Sequence, residues 1–370
     1  VSDLKRNSGF VILCAFILLI SSLTAGCGSP DSPDAQTTAN SPAFEQANLI
    51  GAGATFPQYL YTKWFDEYYK LTGVKINYQG IGSSGGIQQI TAKNVDFGAS
   101  DGIMNNDQQM LAEQSGGPIW HIPMTSGSVA VTYNLPEVDG QLKLTGPVLA
   151  DIFLKKILKW NEAPIVELNP GLDLPDADIA VVHRNEGSGT TFIYTNYLSK
   201  VSEEWRIKVG NGTSVSWPGD VGGQGSAGVA AQVQQIRYSI GYVEMAYAKQ
   251  NGLPMALIQN KTGNYIEPSI NGTTKAAEGI DLPEDMRIMI TNSANPEAYP
   301  IAGFTWILAY MDQPDKAKGQ TLANMLWWAI HDGQQYCEPL DYAPLSSEAV
   351  ARAENQILSL NYNGEPFITR

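Results

Sequence analysis

An arginine, a serine and two threonines fall within eight residues of one another, Arg184, Ser188, Thr190 and Thr191, inside the stretch 179–200, IAVVHRNEGSGTTFIYTNYLSK. A β-branched run, Ile179 to Val182, gives way to His183-Arg184 and a Gly/Ser/Thr segment. After it Phe192, Ile193, Tyr197 and Leu198 recur at helical spacing, so the pattern predicts strand, tight turn, helix. Such a turn aims unpaired backbone N–H groups and the positive end of a helix at one point. Ser188 and Thr190 add hydroxyl donors, and Arg184 adds a rigid fork of donors with a full charge. The chemistry on offer is the capture of a small anion. The same residues also describe an ordinary capped helix with a surface arginine, and the choice depends on what else the chain brings to the spot.

Two further stretches repeat the arrangement. Leu49-Ile50 run into GAGATFP at 51–57, followed by Leu60, Trp64 and Tyr68 at spacing four, which places Thr55 and Phe56 at a helix start with Pro57 in its first turn. Residues 74–78 alternate as a strand, then GIGSSGG at 80–86, with Ser83, leads a helix through Ile87 and Ile90. Any one of these turns reads equally well as a plain strand-to-helix connection; three of them make a shared anion site the better reading. Neither the phosphate-loop lysine nor the glycine spacing of a dinucleotide fingerprint is present. A short strand at 95–100 ends in Asp101, at the edge of the sheet where open α/β folds bind ligands, although a cap for a helix beginning near Asn105 remains open for it.

The remaining elements position these turns. Residues 128–133 read as a strand crossing into a second domain, and Gly146-Pro147 lead a helix carrying Val148, Ile152, Phe153, Ile157 and Leu158 to Trp160, with Lys155, Lys156 and Lys159 on its wet face. The glycine-rich run 219–228, ahead of a helix from Ala230 to Ile236, reads either as a fourth donor loop or as a mobile cover, and no charged donor accompanies it. Residues 304–310 form an apolar strand returning to the first domain. Helices over 320–330 and 347–358 close the chain, with Leu322, Met325, Leu326 and Trp328 as core candidates. His121 and His331 read as structural.

At the front, Lys5-Arg6 precede an apolar run, Phe10 to Ile20, and Leu23-Thr24-Ala25-Gly26-Cys27 follow, the layout of a secretory signal. The last five residues resemble the lipobox of bacterial lipoproteins, which implies cleavage after residue 26, lipidation of Cys27 and a membrane anchor. Residues 27–46 are rich in Ser, Pro, Asp, Ala and Thr and are expected to be a flexible tether. Removing 1–26 takes away Asp3, Lys5 and Arg6 and moves the formal charge from −14 to −15. An acidic body argues against nucleic acid as a partner and requires any anion to be held by local dipoles and hydrogen bonds. Only Cys337 then remains as a free thiol, so no internal disulfide is expected.

Taken together, GAGATFP (51–57), NYQGIGSSGG (77–86), DFGASD (96–101), Arg184 with GSGT (187–190) and GYVEMAYAKQNGL (241–253) resemble the phosphate-binding proteins of bacterial ABC-type phosphate importers. The resemblance runs from about residue 48 to the C-terminus. It implies an α/β, two-lobed type II periplasmic binding protein fold with the ligand cleft between the lobes, lobe 1 being 47–123 and 301–370 and lobe 2 being 124–300. It further implies high-affinity binding of inorganic phosphate on the periplasmic side of the cell envelope, and delivery to a membrane-embedded permease complex by a lipid-anchored monomer. By the same resemblance the phosphate contacts are Thr55, Phe56, Ser83, Asp101, Arg184, Ser188, Gly189 and Thr190. Glu186 stands where better-known members carry an aspartate that pairs with the arginine, and 103–118 is longer than in many members, altering a surface loop. No cofactor, metal or catalytic residue is expected: three histidines and no carboxylate cluster at ligand spacing offer neither a metal pair nor an activated nucleophile. The alternative is a carrier or sensor of another tetrahedral oxyanion such as sulfate.

Overall fold

The computed structural model describes residues 47–219 and 221–369. The expected signal (1–26), Cys27 and the tether (27–46) lie outside the described residues. Strand and helix alternate from the start: β1 (Leu49–Gly53), α1 (Gln58–Thr72), β2 (Ile76–Gly80), α2 (Ser83–Thr91), β3 (Phe97–Ser100), α3 (Asn106–Gly116) and the long β4 (Ile119–Tyr133). The middle of the chain supplies β5 (Lys143–Leu144), α4 (Gly146–Phe153), α5 (Ala163–Val166), β6 (Ala180–Arg184), α6 (Gly189–Val201), α7 (Glu203–Lys208), β7 (Val221–Gly223), α8 (Gly225–Gln235) and β8 (Ser239–Glu244). After α9 (Met245–Gln250), β9 (Leu257–Gln259), β10 (Tyr265–Ile266) and α10 (Ile270–Ala277) come β11 (Ala302–Tyr310), α11 (Lys316–Ile330) and α12 (Ser347–Leu358).

Eight strands join in the order β2-β1-β3-β11-β4-β8-β6-β7. On one side β1 pairs in parallel with β2 and β3; on the other β6 pairs in parallel with β7 and β8. Between them β4 runs antiparallel to β11 from Ile119 to Ser128 and then antiparallel to β8 from Val129 to Tyr133, so one strand serves both groups. All nine residues of β11 are buried, and in β4 only Trp120 is partly exposed. That double-sided cover is why both strands read in sequence as apolar runs without clean alternation. The result is a mixed α/β architecture, a sheet with parallel groups at both ends and helices packed on it, as expected.

Where the β1 and β3 backbones meet α2, there is no room for side chains. A Cβ on Gly86 would lie 2.5 Å from the Ala99 carbonyl oxygen and 2.6 Å from the Gly53 Cα. The glycines of 80–86 therefore let the first turn of α2 rest directly on the sheet.

Several expectations need correction. The helix from Gly146 stops at Phe153 rather than reaching Trp160: Lys155 takes a positive φ (58°), a conformation that ends a helix, and Leu158 is exposed while Ile157 is buried beyond the helix. The helix expected from Ala230 starts at Gly225, inside the glycine run. The helix near Asn105 is α3 within the segment 103–118, and its start is held by an Asn105–Gln108 capping box, so Asp101 is not its cap. Pro57 sits just before α1, and Trp328 is only partly buried. His121 is buried, accepts from the Met104 N–H (3.2 Å) and is pushed down to about 3 by burial, so it is neutral. His331 bonds the Trp327 carbonyl at the end of α11.

Replacing Gly86 with Ala tests the close approach of α2. Helix propensity alone favours Ala by about 1 kcal/mol, yet overpacking against two backbones should outweigh it by at least ~2 kcal/mol and lower Tm by about 4 °C or more. An unchanged Tm by calorimetry would mean that the approach is looser than described.

Candidate functional site

The parallel strands on both sides end near one another, and the turns after β1, β2 and β6 meet there. The turn after β1 is pinned by two tyrosines: Tyr247 Oη donates to the Thr55 carbonyl (2.8 Å) and Tyr342 Oη to the Phe56 carbonyl (2.7 Å). The Phe56 ring is fully buried against Gly127 of β4. The Thr55 carbonyl shares its peptide with the Phe56 N–H, and the Ala54 carbonyl, which accepts from Tyr78 Oη (2.6 Å), shares its peptide with the Thr55 N–H, so the bonds from Tyr247 and Tyr78 turn these two N–H groups the other way. Among the described residues no carbonyl or side chain accepts from the N–H groups of Thr55, Phe56, Ser83, Gly189 or Thr190. Buried backbone donors are nearly always paired, so five such groups from three turns mark a place built for an acceptor.

Two ionisable side chains frame it. Asp101, at the end of β3, is 1% exposed; Thr305 of β11 donates to its Oδ1 (2.8 Å), and its own N–H donates to Ser83 Oγ (3.1 Å). A Cβ on Gly189 would come within 2.5 Å of both Asp101 Oδ2 and Ser83 Oγ, which places the start of α6 against this carboxyl and shows why residue 189 carries no side chain. Burial raises the Asp101 pKa to about 7, against the opposing pull of the Thr305 hydrogen bond, the Arg184 charge and the Ser83 hydroxyl.

Arg184, at the end of β6, has a side chain only 1% exposed. Its Nε donates to Glu186 Oε1 (2.7 Å), and Nη2 pairs with the same oxygen. Nη2 also donates to Thr55 Oγ1 (3.0 Å), while Nη1 donates to Thr190 Oγ1 and Ser226 Oγ (3.3 Å each). Tyr242 holds the strand end by accepting from the Arg184 N–H (3.3 Å) and bonding Thr191 (2.7 Å). The longer reach of Glu186 is thus absorbed: the carboxylate meets the guanidinium and also accepts from the Gly225 N–H (3.2 and 3.3 Å). Ser188 is the N-cap of α6, its Oγ accepting from the Thr191 N–H (3.2 Å), which leaves its hydroxyl proton to be donated elsewhere.

All eight residues expected to bind the anion are therefore gathered at one place, with Glu186 beside them. The two sides also touch through their backbones, the Ser84 N–H donating to the Gly187 carbonyl (3.1 Å) and Ser84 Oγ to Thr213 Oγ1 (2.9 Å). Sequence reasoning missed Thr305 of β11, Tyr247 of α9 and Tyr342 in the loop before α12, all far along the chain from the turn or carboxyl they touch. It also left Ser226 inside a glycine run that lacked a charged donor; a serine in the first turn of a helix was the available signal. Glu244, buried and pushed well above the usual carboxylate range by burial, caps α9 through the Ala246 N–H (2.8 Å) beside Gly127. Among the described residues no group of His, Cys, Asp or Glu is placed to hold a metal ion.

The description "PBP superfamily domain" matches residues 37–325. Curated relatives include a phosphate-binding protein PstS of Xylella fastidiosa (strain 9a5c), 43% identical over 94% of this chain and 96% of its own length. Another, from Pasteurella multocida, is 46% identical over 83% of this chain and 89% of its own. Among solved structures, a phosphate binding protein from Stenotrophomonas maltophilia superposes with a TM-score of 0.63 at 17% identity, covering 83% of this chain and 93% of that one. A putative phosphate ABC transporter substrate-binding protein from Clostridium perfringens, solved with bound phosphate, gives 0.59 at 15% identity, covering 81% and 100%. These two likenesses concern the fold.

The Asp101 carboxyl should cost stability in a pH-dependent way. With its folded pKa raised to about 7 and an unfolded value near 3.8, the folded chain keeps a proton that the unfolded chain releases. Stability therefore falls as pH rises through this window and levels off above it. Asp101→Asn should raise the Tm of the ligand-free protein, with the gain growing from pH 4 to pH 7 and then flat. A gain independent of pH, read by calorimetry, would contradict the burial argument.

Proposed function

The chain belongs to the phosphate-binding proteins of ABC-type phosphate importers, within the periplasmic binding protein superfamily, and on that premise we propose that the buried site between the β1, β2 and β6 turns encloses one inorganic phosphate ion. Members of this family are carriers, not enzymes: they bind phosphate tightly outside the cytoplasmic membrane and deliver it to an importer. The observation that carries the assignment of residues is the pairing, in one buried site, of a carboxyl group with an arginine and five acceptor-less N–H groups.

Each part has a chemical task. The N–H groups of Thr55, Phe56, Ser83, Gly189 and Thr190, the hydroxyls of Thr55, Ser83, Ser188 and Thr190, and the Arg184 fork donate to phosphate oxygens. Glu186 holds the guanidinium in plane and offsets part of its charge, so that the site neutralises the anion without gripping it irreversibly. Asp101 supplies the acceptor. Phosphate near neutral pH still carries a proton and shares it with this carboxylate in a charge-assisted bond. Fully deprotonated sulfate has no proton to give, so an ionised Asp101 repels it in a site without water to screen the charge.

Two parts of the proposal concern geometry and address. The division into lobe 1 (47–123 and 301–370) and lobe 2 (124–300) sets the donors of residues 55–101 against those of 184–190, and closure of one lobe on the other would exclude water. Lipidation at Cys27 would hold a monomeric carrier at the membrane near its permease, with 27–46 as the tether. Family membership supports a permease partner; the anchor rests on the lipobox resemblance.

Titration calorimetry on the mature protein at pH 8 should give a one-to-one phosphate complex with Kd in the micromolar range or tighter, about −8 kcal/mol or better. Arsenate should follow closely, and sulfate should be undetectable. Lowering the pH below about 7 protonates Asp101 and should let weak sulfate binding emerge; Asp101→Asn should narrow the phosphate-to-sulfate margin at pH 8 as well. Sulfate binding as tight as phosphate in the unaltered protein would reverse the assignment in favour of the other oxyanion.

For the anchor, Cys27→Ala should move the protein from the membrane fraction to the soluble fraction of expressing cells. Retention of the variant on membranes after a salt wash would rule out lipid at this position as the tie.

A further inference from the structure

We propose that Ser226, at the start of α8, is a positioning residue for phosphate retention: it ties Arg184 on one side of the site to Thr55 on the other and slows release of the bound ion. The inference rests on the phosphate assignment above but concerns a residue outside the expected contact set.

The geometry begins with β7, which runs parallel to β6 with Arg184 opposite Gly223. That register delivers the chain beside the arginine. A Cβ on Gly223 would lie 2.6 Å from the Val229 N, so the strand must fold back sharply into α8, and Gly225 takes a φ of +66° to make the turn. The helix then begins without help from its own N-cap: Gln224 provides no side-chain cap. Its first two amides are satisfied instead by side chains of the site. The Gly225 N–H donates to both Glu186 oxygens (3.2 and 3.3 Å), and the Ser226 N–H donates to Thr55 Oγ1 (3.4 Å). Ser226 Oγ accepts from Arg184 Nη1 (3.3 Å) and lies 3.3 Å from Thr55 Oγ1.

Ser226 is fully buried and 171 residues away from Thr55 in sequence. Its bonds to Arg184 and to the helix backbone join elements of the β6–β8 group. The two contacts with Thr55 cross to the turn after β1 and can form only when both sides of the site are together. The 3.3–3.4 Å separations describe hydrogen bonds at the long end of the normal range, each of small net worth. Such a tie adds to the lifetime of the closed state without touching the path by which phosphate enters. Its loss should appear in the dissociation rate rather than in the association rate, the usual place for affinity changes within one interface.

The test is stopped-flow measurement of phosphate association and dissociation on the mature protein, comparing the unaltered chain, Ser226→Ala, Thr55→Val and the double variant, with Tm of each ligand-free protein as control. Ser226→Ala should release phosphate about 3- to 10-fold faster, in line with one or two weak hydrogen bonds. Its association rate should stay within about twofold, and its ligand-free Tm should fall by no more than a few degrees, the cost of one buried acceptor lost to Arg184. The double variant should release no faster than Thr55→Val by more than a small factor, because the Ser226 side chain reaches the other side of the site only through Thr55 Oγ1. An unaltered release rate in Ser226→Ala, a loss in association rate as large as the gain in release rate, or full additivity with Thr55→Val would each overturn the tie. Failure of the unaltered protein to bind phosphate would overturn the phosphate assignment itself, whereas normal binding with unaltered release in Ser226→Ala overturns the tie alone.

Discussion

A carboxyl group and a guanidinium buried in one water-excluded site set the terms for the rest of this molecule. Each alone would be costly to remove from water. Asp101 answers the cost by rising to a pKa of about 7 and by accepting from Thr305. Arg184 answers it with partners for every arm of its fork: Glu186, Thr55, Thr190 and Ser226. The net charge of −14 makes this local solution necessary, because the field of the whole protein works against an incoming anion. What attracts phosphate has to be dipoles and donors within a few ångströms.

That requirement explains the architecture around the site. Three strand-to-helix turns must bring their N–H groups to one point, and parallel strands do this because their carboxyl ends lie on the same edge of a sheet. Two parallel groups are then needed to surround the ion, and β4 and β11 connect them. Their burial on both faces gives the rigid base on which the turns sit, and Phe56, packed on Gly127 of β4, links the first turn to that base. Tyr78 and Tyr247 donate to the Ala54 and Thr55 carbonyls, which turns the Thr55 and Phe56 N–H groups of the same peptides toward the proposed anion site, while Tyr342 anchors the Phe56 carbonyl ahead of Pro57.

Glu186 shows how such a site tolerates variation. A side chain one methylene longer than the aspartate of better-known members would overreach if it met the arginine alone. Here the extra length is taken up by a second bond, from the Gly225 N–H, so the carboxylate lies between the guanidinium and the start of α8. The arginine's charge is therefore tuned by two elements rather than one.

Much of this was legible in the chain itself. The runs 179–182 and 304–310, the glycine-rich turns, and the helices over 58–72 and 347–358 follow from local patterning, since periodicity and turn chemistry act over a few residues. The proposed contact residues from Thr55 to Thr190 came from motifs, because a donor turn needs glycines and hydroxyls at set positions. Helix ends were less legible: α4 stops at Phe153 through a positive φ at Lys155, and α8 starts at Gly225 because side chains from elsewhere satisfy its first amides. Thr305, Tyr247 and Tyr342 carried no local sign of their roles, and Ser226 carried only its place in the first turn of a helix. They lie 171 or more residues from the partners they touch, or between residues whose meeting depends on how β4 and β11 pair. The sequence by itself determined which turns carry donor groups and what kind of ion such groups suit, because donor chemistry is local; only the tertiary structure decided how buried Asp101 is, what holds Arg184 and which distant hydroxyls complete the proposed site, because burial and long-range contact exist only once the strands have assembled.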